Sequence, residues 1–471
     1  MTFSISSFSK GLVNSIKNKA SQKSLKLILS RVIQHNSLKL WSISKNRNEF
    51  DRMRRVADKY LDSDNISEEL LKAGVSALVD SEEVLVLSDI SDIRKPHSSK
   101  LESLGKVRDL KGGIINGYSS FNSVAVDFKK KQVHLLSHET YSNREENHIN
   151  NDELKEISKY ISLSNEDKSN DHGEDEDEDE GECESMQHPK LKILESGKMV
   201  NLNTVTSSEL TKINTKLKEG LPASVKITHV LDRGFDDVGV FNLIEHDLKN
   251  QFVIRLKKTR KVRCENALSD EKVNICKLNN QNQVIFNKII IKSKCYQQAK
   301  ALVEWGKVEI KGKSYSMVRV ALTNSKGNKI FKDPMMLITN IQLSNKNDAW
   351  QIHKRYLIRA KIENVFKFAK ETLGWESMQV RDYSSIKGLI SLCFFISAYF
   401  YAIGDRLSEK EYIVFLAELG EGKGKVTRHF ILLGIRNMLI HYSVGRFFEE
   451  NKVKEETKQE MEEMSYGILE L

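Results

Sequence analysis

The chain of 471 residues contains only five cysteines, and no two of them form a Cys-x-x-Cys pair. They are Cys183, Cys264, Cys276, Cys295 and Cys393. An odd count without paired spacing predicts neither a disulfide framework nor a zinc site. We therefore expect reduced thiols in a cytosolic protein.

Long apolar runs are equally scarce. The only one covers residues 388–404 and is shorter than the roughly 20 residues that a helix needs to cross a bilayer. A stretch of this length is more typical of a buried core helix than of a membrane segment. We predict a core helix there and expect no membrane partner.

Acidic residues are absent from the first 48 positions, whereas thirteen Lys or Arg occur through Lys59. Apolar residues such as Leu12 and Ile16 recur there at helical spacing. Because cations on helices neutralise phosphates and release counterions, residues 1–75 are predicted to form a small helical DNA-binding domain. A transit peptide and a solvated basic helix are alternatives, although the lack of Arg before Arg31 weighs against the first.

Acids are concentrated instead between Asp171 and Glu184, a run with ten acids and no Lys or Arg. The rest of the chain is therefore ten charges more positive than the formal net charge of +9. This balance favours a polyanionic partner, nucleic acid before anionic membrane. Residues 142–200 hold few apolar groups to offset ordering entropy, which predicts a disordered or loosely ordered insertion. A DNA-mimicking, autoinhibitory role for the acidic run is a further hypothesis.

Two short apolar runs end in a carboxylate. Asp89 follows Val84–Ser88, and Asp232 follows Val225–Leu231. Each pattern indicates a buried strand that delivers an acid to the edge of a sheet. Asp92 is the rival of Asp89, which we prefer because it directly follows the apolar run.

Further elements can be predicted around these two strands. The segment from Glu83 to Tyr141 predicts three strands, the last two joined as an antiparallel hairpin through Lys129–Lys131. A helix is predicted over residues 208–217 and another over residues 237–249, with a strand at 252–257. In the second of these helices, Asp237 has the position of an N-cap.

A third carboxylate, Glu363, lies in an amphipathic stretch that begins at Tyr356 and ends at Lys370. Read as one continuous helix, this stretch forms a narrow polar stripe beside an apolar face. The stripe consists of Tyr356, Arg359, Glu363 and Lys370. Ordinary surface ion pairs would give the same pattern. Three carboxylates brought together nevertheless suit hard divalent cations, because Mg²⁺ prefers oxygen ligands and leaves positions for water and phosphate.

These residues resemble the bacterial insertion-sequence DDE transposases, whose signature is Tyr-x2-Arg-x3-Glu-x6-Lys. Tyr356, Arg359, Glu363 and Lys370 fit that spacing without a gap. The resemblance covers about residues 80–400 and includes the two upstream Asp boxes. Several fixed residues in the right order make a specific signal, whereas any one box alone would be weak.

The resemblance implies an α/β fold built on a ribonuclease-H-like mixed-sheet catalytic core. Side-by-side strands would carry Asp89 and Asp232, and a β-rich insertion domain would precede Glu363. The implied regions are a helical DNA-binding domain (1–75), the first part of the core (76–259, with the 142–200 insertion), the insertion domain (260–330), the rest of the core (331–405) and a helical C-terminal region (406–471).

The activity that the resemblance implies is cut-and-paste DNA transposition by two-metal phosphoryl transfer, with hairpin ends. Asp89, Asp232 and Glu363 would be the catalytic residues and would hold two Mg²⁺ ions, which Mn²⁺ is able to replace. Tyr356, Arg359 and Lys370 would contact phosphates near the scissile bond.

A basic stretch precedes the predicted insertion domain. Arg255–Arg263 has six cations in nine residues, which favours contact with the DNA backbone over an ordinary solvated edge strand. The cations assigned to DNA there and beside Asp232 are Arg233, Lys257, Lys258 and Arg260.

Expected partners are double-stranded DNA, as transposon terminal repeats and as target, and a second copy of the chain in the assembled DNA complex. The expected location is the bacterial cytoplasm, in association with the nucleoid. Two alternatives stay open: a catalytically inactive derivative that occupies the terminal repeats, and a structure-specific nuclease without strand transfer.

Overall fold

The computed structural model describes residues 8–150, 152–159, 199–265, 267–291, 294–407, 411–421 and 430–438, together with residues 190, 193, 194, 196 and 440. The acidic run at 171–184 and most of the predicted 142–200 insertion lie outside the described residues. Within that insertion, residues 152–159 are helical, and His148 forms a β-bridge with Val200.

Five helices precede the first strand in the part of the chain that the structure describes. They are α1 (Lys10–Asn14), α2 (Lys19–His35), α3 (Leu40–Ile43), α4 (Arg47–Lys59) and α5 (Ser63–Ser76). The Asn18 side chain caps α2 by accepting the amides of Ala20 and Ser21. Leu12 and Ile16, predicted at helical spacing, are buried in a hydrophobic cluster that the N-terminal helices share with the central sheet.

Twelve strands of the described chain form one mixed sheet. They are β1 (Glu83–Arg94), β2 (Gly105–Arg108), β3 (Ile114–Asp127), β4 (Val133–Tyr141), β5 (Lys226–Leu231), β6 (Gln251–Arg255), β7 (Lys261–Cys264), β8 (Glu271–Lys272), β9 (Asn280–Ile291), β10 (Lys294–Ile310), β11 (Lys313–Thr323) and β12 (Met335–Thr339). Besides the helical residues 152–159 and 430–438, six further helices are named in chain order. They are α6 (Leu202–Gly220), α7 (Val238–Asn242), α8 (Lys346–Leu357), α9 (Ala360–Lys367), α10 (Tyr383–Leu407) and α11 (Glu411–Glu421).

The core of the sheet combines antiparallel and parallel pairs. β1 is antiparallel to β3 and parallel to β5, which is parallel to β6. β3 and β4 form the predicted antiparallel hairpin, in which Lys131 adopts a left-handed conformation with φ of 59°. This mixed α/β arrangement is consistent with a ribonuclease-H-like transposase domain.

β1 is buried on both faces, which explains its unbroken apolar run. Leu85 and Leu87 belong to one hydrophobic cluster, and Val84 and Val86 belong to another. Alternate side chains of a strand point to opposite faces, so helices must cover both. The strand is longer than predicted and continues through Asp89 to Arg94.

The strand-rich stretch after Arg260 extends the same sheet. β12 joins β6 to β11, which continues to β10 and then to β7 and β9. Across β10 and β11, Arg319 forms a two-point ion pair with Glu304, with N···O distances of 2.7 and 2.8 Å. The resemblance implied a β-rich insertion domain over residues 260–330, and the structure shows that its strands are hydrogen-bonded into the same sheet as the core strands.

Two predicted helices differ from the structure. The helix predicted over 237–249 is shorter, because α7 ends at Asn242 and a π-helical turn occupies Leu243–Asp247. Asp237 nevertheless caps α7 by accepting the Gly239 amide at 2.7 Å.

The continuous helix predicted from Tyr356 to Lys370 is wrong. α8 ends at Leu357, Ile358 and Arg359 form a turn, and α9 begins at Ala360. A π-helical turn then covers Phe368–Thr372. Since both irregularities change the rotation per residue, the four signature residues do not form one polar stripe.

The apolar stretch at 388–404 lies within α10, a helix of 25 residues. Among the described helices, α10 alone is long and apolar enough to cross a membrane, but 83% of its apolar window is buried inside the protein. Phe394 packs against His138 of β4, with ring centroids 5.2 Å apart. This burial favours the predicted core helix.

The role of α10 can be tested through Phe394. Phe394→Ala removes a fully buried ring, so we expect a loss of about 3 kcal/mol or more in the free energy of unfolding. Phe415→Ala is the matched control, because Phe415 is 59% exposed, and it should change stability by less than about 0.5 kcal/mol. Urea denaturation followed by circular dichroism measures both. Equal effects would contradict a core role for α10.

Candidate active site

Three carboxylates converge on one guanidinium group. Arg359 Nη2 lies 2.6 Å from Asp89 Oδ2 and 3.8 Å from Asp232 Oδ2, and Arg359 Nη1 lies 2.7 Å from Glu363 Oε1. The acids come from β1, from the end of β5 and from α9. Residues separated by more than 270 positions thus form one charged cluster, here called the carboxylate cluster.

The parallel register of β1 and β5 places the two aspartates together. Ser88 is paired with Leu231, and the next residue in each strand is an aspartate. β5 ends at Leu231, while β1 continues, so both acids lie at the point where the pairing stops. Asp232 then caps a 3-10 turn by accepting the Gly234 amide at 2.7 Å.

Glu363 reaches the cluster from the first turn of α9. It lies four residues after Arg359, which places the two side chains on the same side of one helical turn. The side chain of Glu363 is 60% exposed, whereas that of Arg359 is only 13% exposed. The cluster therefore has a buried inner part and an open side at Glu363.

Burial dominates the electrostatics of the inner part. It raises the pKa of Asp89 to about 7, and the negative charges of Asp232 and Glu363 act in the same direction. The positive charge of Arg359 opposes this rise. Within the described structure, Nε of Arg359 is buried without a hydrogen-bond partner. The three acids are partly removed from water and share one guanidinium, whose Nε has no partner among the described residues. Such a site favours additional positive charge.

The donor set has the chemistry of a hard divalent cation site, because all three acids offer carboxylate oxygens. Among the residues that the structure describes, however, no group of three His, Cys, Asp or Glu side chains is spaced to hold an ion. The Arg359 guanidinium lies between the acids and contacts each of them. The carboxylate oxygens are suitable ligands for a divalent cation. Binding such a cation would require the Arg359 guanidinium to move away from at least one carboxylate.

The other signature residues lie beside the cluster rather than on a shared stripe with Glu363. Tyr356 is buried, which raises the pKa of its hydroxyl, and it is hydrogen-bonded to Arg255. Lys370 Nζ donates to the backbone carbonyl of Asp92 at 3.0 Å, and burial lowers its pKa. Lys370 thus supports β1 three residues beyond Asp89.

The structure also distinguishes Asp89 from its rival. The Asp92 carboxylate accepts the backbone amide of Arg108 and lies near Lys370. Asp92 is therefore engaged by the β2–β3 hairpin and is not part of the carboxylate cluster.

A basic cleft of about 460 Å³ lies next to Asp232. Its lining includes three of the cations that the sequence analysis assigned to DNA, namely Arg233, Lys257 and Lys258. Arg255 also lines the cleft. Although Arg255 begins the basic stretch, the sequence did not single it out as a DNA contact. Only the fold brings Arg255 next to Tyr356.

Two of the cations that the sequence assigned to DNA have acidic partners. Lys258 pairs with Asp333 at the rim of the cleft, at 2.5 Å. Arg260 donates from Nε to the buried Asp236 carboxylate at 2.8 Å and from Nη2 to the Asp236 carbonyl at 2.7 Å. Arg260 therefore holds the loop after Asp232 in place and has less of its guanidinium free for phosphate.

The raised pKa of Asp89 makes stability depend on pH. Its folded-state pKa of about 7 exceeds the unfolded value, so its contribution to stability is lost as the pH rises from about 4 to about 7. Asp89→Asn removes this dependence. As the pH rises from about 4 to about 7, we therefore expect the melting temperature of the variant to rise relative to that of the wild type. The exposed Asp152→Asn is the control and should follow the wild type. Parallel curves for Asp89→Asn and wild type would contradict the raised pKa.

Comparison with known families adds to this geometry. Residues 202–399 match the family described as the transposase DDE domain. The matched region contains Asp232 and Glu363 but begins after Asp89, so the place of Asp89 in the site depends on the structure. No curated protein matches the chain. The family match, together with the mixed sheet, shows that residues 202–399 are similar to the DDE domain of transposases.

Proposed function

We propose that the chain is a transposase that cuts and joins transposon ends by phosphoryl transfer, with Asp89, Asp232 and Glu363 as its catalytic residues. The convergence of these three acids on Arg359 is the observation that carries the proposal. The match to the transposase DDE domain supports the reaction class.

In this proposal the three carboxylates hold two Mg²⁺ ions, or Mn²⁺ in their place. Bound metal ions of this kind polarise phosphate oxygens and lower the pKa of bound water. Arg359 neutralises the acids when no other cation is bound, which limits repulsion among buried charges. Once released from a carboxylate, its forked guanidinium is suited to hold a DNA phosphate.

The cations of the basic cleft are proposed to hold the DNA backbone beside the reacting phosphate. Arg233, Lys257 and Lys258 line the cleft next to Asp232. Arg255 donates toward the buried Tyr356 hydroxyl, and this pair orients both groups at the inner wall of the site. Lys370 is tied to the Asp92 carbonyl and acts by positioning β1.

The wider reaction is proposed from the resemblance of the signature residues. It consists of cleavage at terminal repeats, hairpin formation at the ends, reopening and insertion into target DNA. Joining two ends requires at least two copies of the chain in the DNA complex. The N-terminal helices, of which α1, α2 and α4 are net basic, are proposed to bind the repeats, in a protein of the bacterial cytoplasm that associates with the nucleoid.

The catalytic assignment predicts a specific pattern of loss. Asp89→Asn, Asp232→Asn and Glu363→Gln should each reduce Mg²⁺-dependent cleavage of a duplex carrying the DNA that flanks the gene by about a thousandfold or more, because each removes a charged ligand. DNA binding should persist. Asp237→Asn is the matched control, since Asp237 lies five residues after Asp232 and uses its carboxylate to cap α7.

The outcomes separate the alternatives. Cleavage that survives all three substitutions would contradict the assignment of the site. Binding without cleavage by the wild type would indicate the inactive derivative that occupies the repeats. Cleavage without joining would indicate a nuclease.

The basic cleft gives a second prediction. Lys257→Ala combined with Arg233→Ala should weaken binding of any duplex and lower the salt dependence of the binding constant by about two units of log–log slope, roughly one for each lost phosphate contact. The matched control is Lys129→Ala, an exposed lysine paired with Glu82 away from the cleft. A slope equal to that of the control would show that the cleft does not face DNA.

A further inference from the structure

The β2–β3 hairpin has a role that the proposed function leaves unassigned. β2 pairs with the first residues of β3, from Gly105 opposite Gly117 to Arg108 opposite Ile114. Gly117 permits close packing, since a Cβ there would lie 2.4 Å from the Ile93 carbonyl. The hairpin is therefore firmly seated on β1 at its base.

The tip of the hairpin exposes two large apolar side chains. Leu110 is 86% exposed and Ile114 is 76% exposed. The turn between them is preformed, because the Asp109 carboxylate accepts the amides of Lys111 at 2.8 Å and Gly113 at 2.6 Å. An ordered turn that presents apolar groups to solvent suggests a contact surface.

Cations surround these apolar side chains. Lys106, Arg108 and Lys111 are all exposed on the hairpin. The one acid among them, Asp109, uses its carboxylate within the turn. The hairpin therefore offers positive charge and apolar surface together, which suits a partner with phosphates and stacked rings.

The hairpin is connected through Asp92 to β1, the strand that carries Asp89, and the Asp92 side chain points to the opposite face of that strand from Asp89. The Asp92 carboxylate accepts the Arg108 amide, and the Asp92 carbonyl accepts Lys370 Nζ. Asp92 follows Asp89 by three residues on β1, a separation of about 10 Å along a strand. A DNA duplex with a phosphate at the carboxylate cluster would extend over such a distance within a few base pairs.

We propose that the β2–β3 hairpin is a second DNA contact of the site, in which Lys106, Arg108 and Lys111 bind phosphates and Leu110 and Ile114 pack against bases that leave the stack. This inference rests on the proposed function, because it takes DNA at the carboxylate cluster as given. Apolar side chains that enter DNA steps typically unstack and kink them, while flanking cations hold the backbone.

The experiment compares two hairpin variants with a control on one duplex, the DNA that flanks the gene. Leu110→Ser combined with Ile114→Ser tests the apolar contact, and Lys106→Ala, Arg108→Ala and Lys111→Ala combined test the phosphate contacts. Leu268→Ser is the control, because Leu268 is also fully exposed but belongs to the loop after β7. All the changed side chains are exposed, so melting temperatures should match the wild type.

Permanganate oxidation of unstacked thymines and the salt dependence of binding are the two measurements. We expect the wild type and Leu268→Ser to produce a reactive thymine that the Leu110/Ile114 variant reduces at least fivefold. The triple cation variant should weaken binding about tenfold and lower the log–log salt slope by up to about three.

Failure of the inference is distinguishable from failure of the proposed function. If the wild type cleaves the duplex but both hairpin variants behave like Leu268→Ser, the hairpin inference alone is overturned. If the wild type neither binds nor cleaves DNA, both are overturned. A Leu110/Ile114 variant that changes only the self-association of the chain would also overturn the inference, because the surface would then serve contact between copies.

Discussion

The pairing of Arg359 with three carboxylates is the interaction on which the rest of the site depends. Asp89 and Asp232 are drawn from neighbouring strands, and Glu363 comes from a helix far along the chain. Like charges at this separation repel strongly in a partly buried site, so a neighbouring cation or protonation of one acid has to offset the repulsion. In the protein alone, the Arg359 guanidinium supplies a cation of this kind.

The mixed sheet fixes the geometry of this arrangement. Because β1 and β5 are parallel and Ser88 is paired with Leu231, the two aspartates that follow must lie side by side. The side chains before them are buried in clusters on both faces, which makes a slip in register costly. The site is therefore built on the most constrained part of the fold, while the open side at Glu363 lies on a short helix that follows a turn.

The cations around the carboxylate cluster fall into two groups: some hold the fold in place, and others are exposed and available to a ligand. Lys370 and Arg260 use their charges to hold β1 and the loop after Asp232. A partly buried ion pair between Glu139 and Lys387, at 2.7 Å, links α10 to β4. Arg233 and Lys257 are exposed beside the basic cleft, and Lys106 and Lys111 are exposed on the hairpin. Cations that remain in water cost little to keep and are available to phosphates.

The sequence alone determined the strands before Asp89 and Asp232, the β3–β4 hairpin and the core helix at 388–404, because each depends on local apolar patterning that burial then satisfied. It also predicted the three acids, Asp89 and Asp232 from the apolar runs before them and Glu363 from the spacing of the signature. The tertiary structure alone decided the break at Ile358–Arg359, the engagement of Asp92 by Arg108 and the partnership of Arg255 with Tyr356. These features depend on which distant groups become neighbours when the sheet closes, and a local pattern in the sequence carries no information about such neighbours.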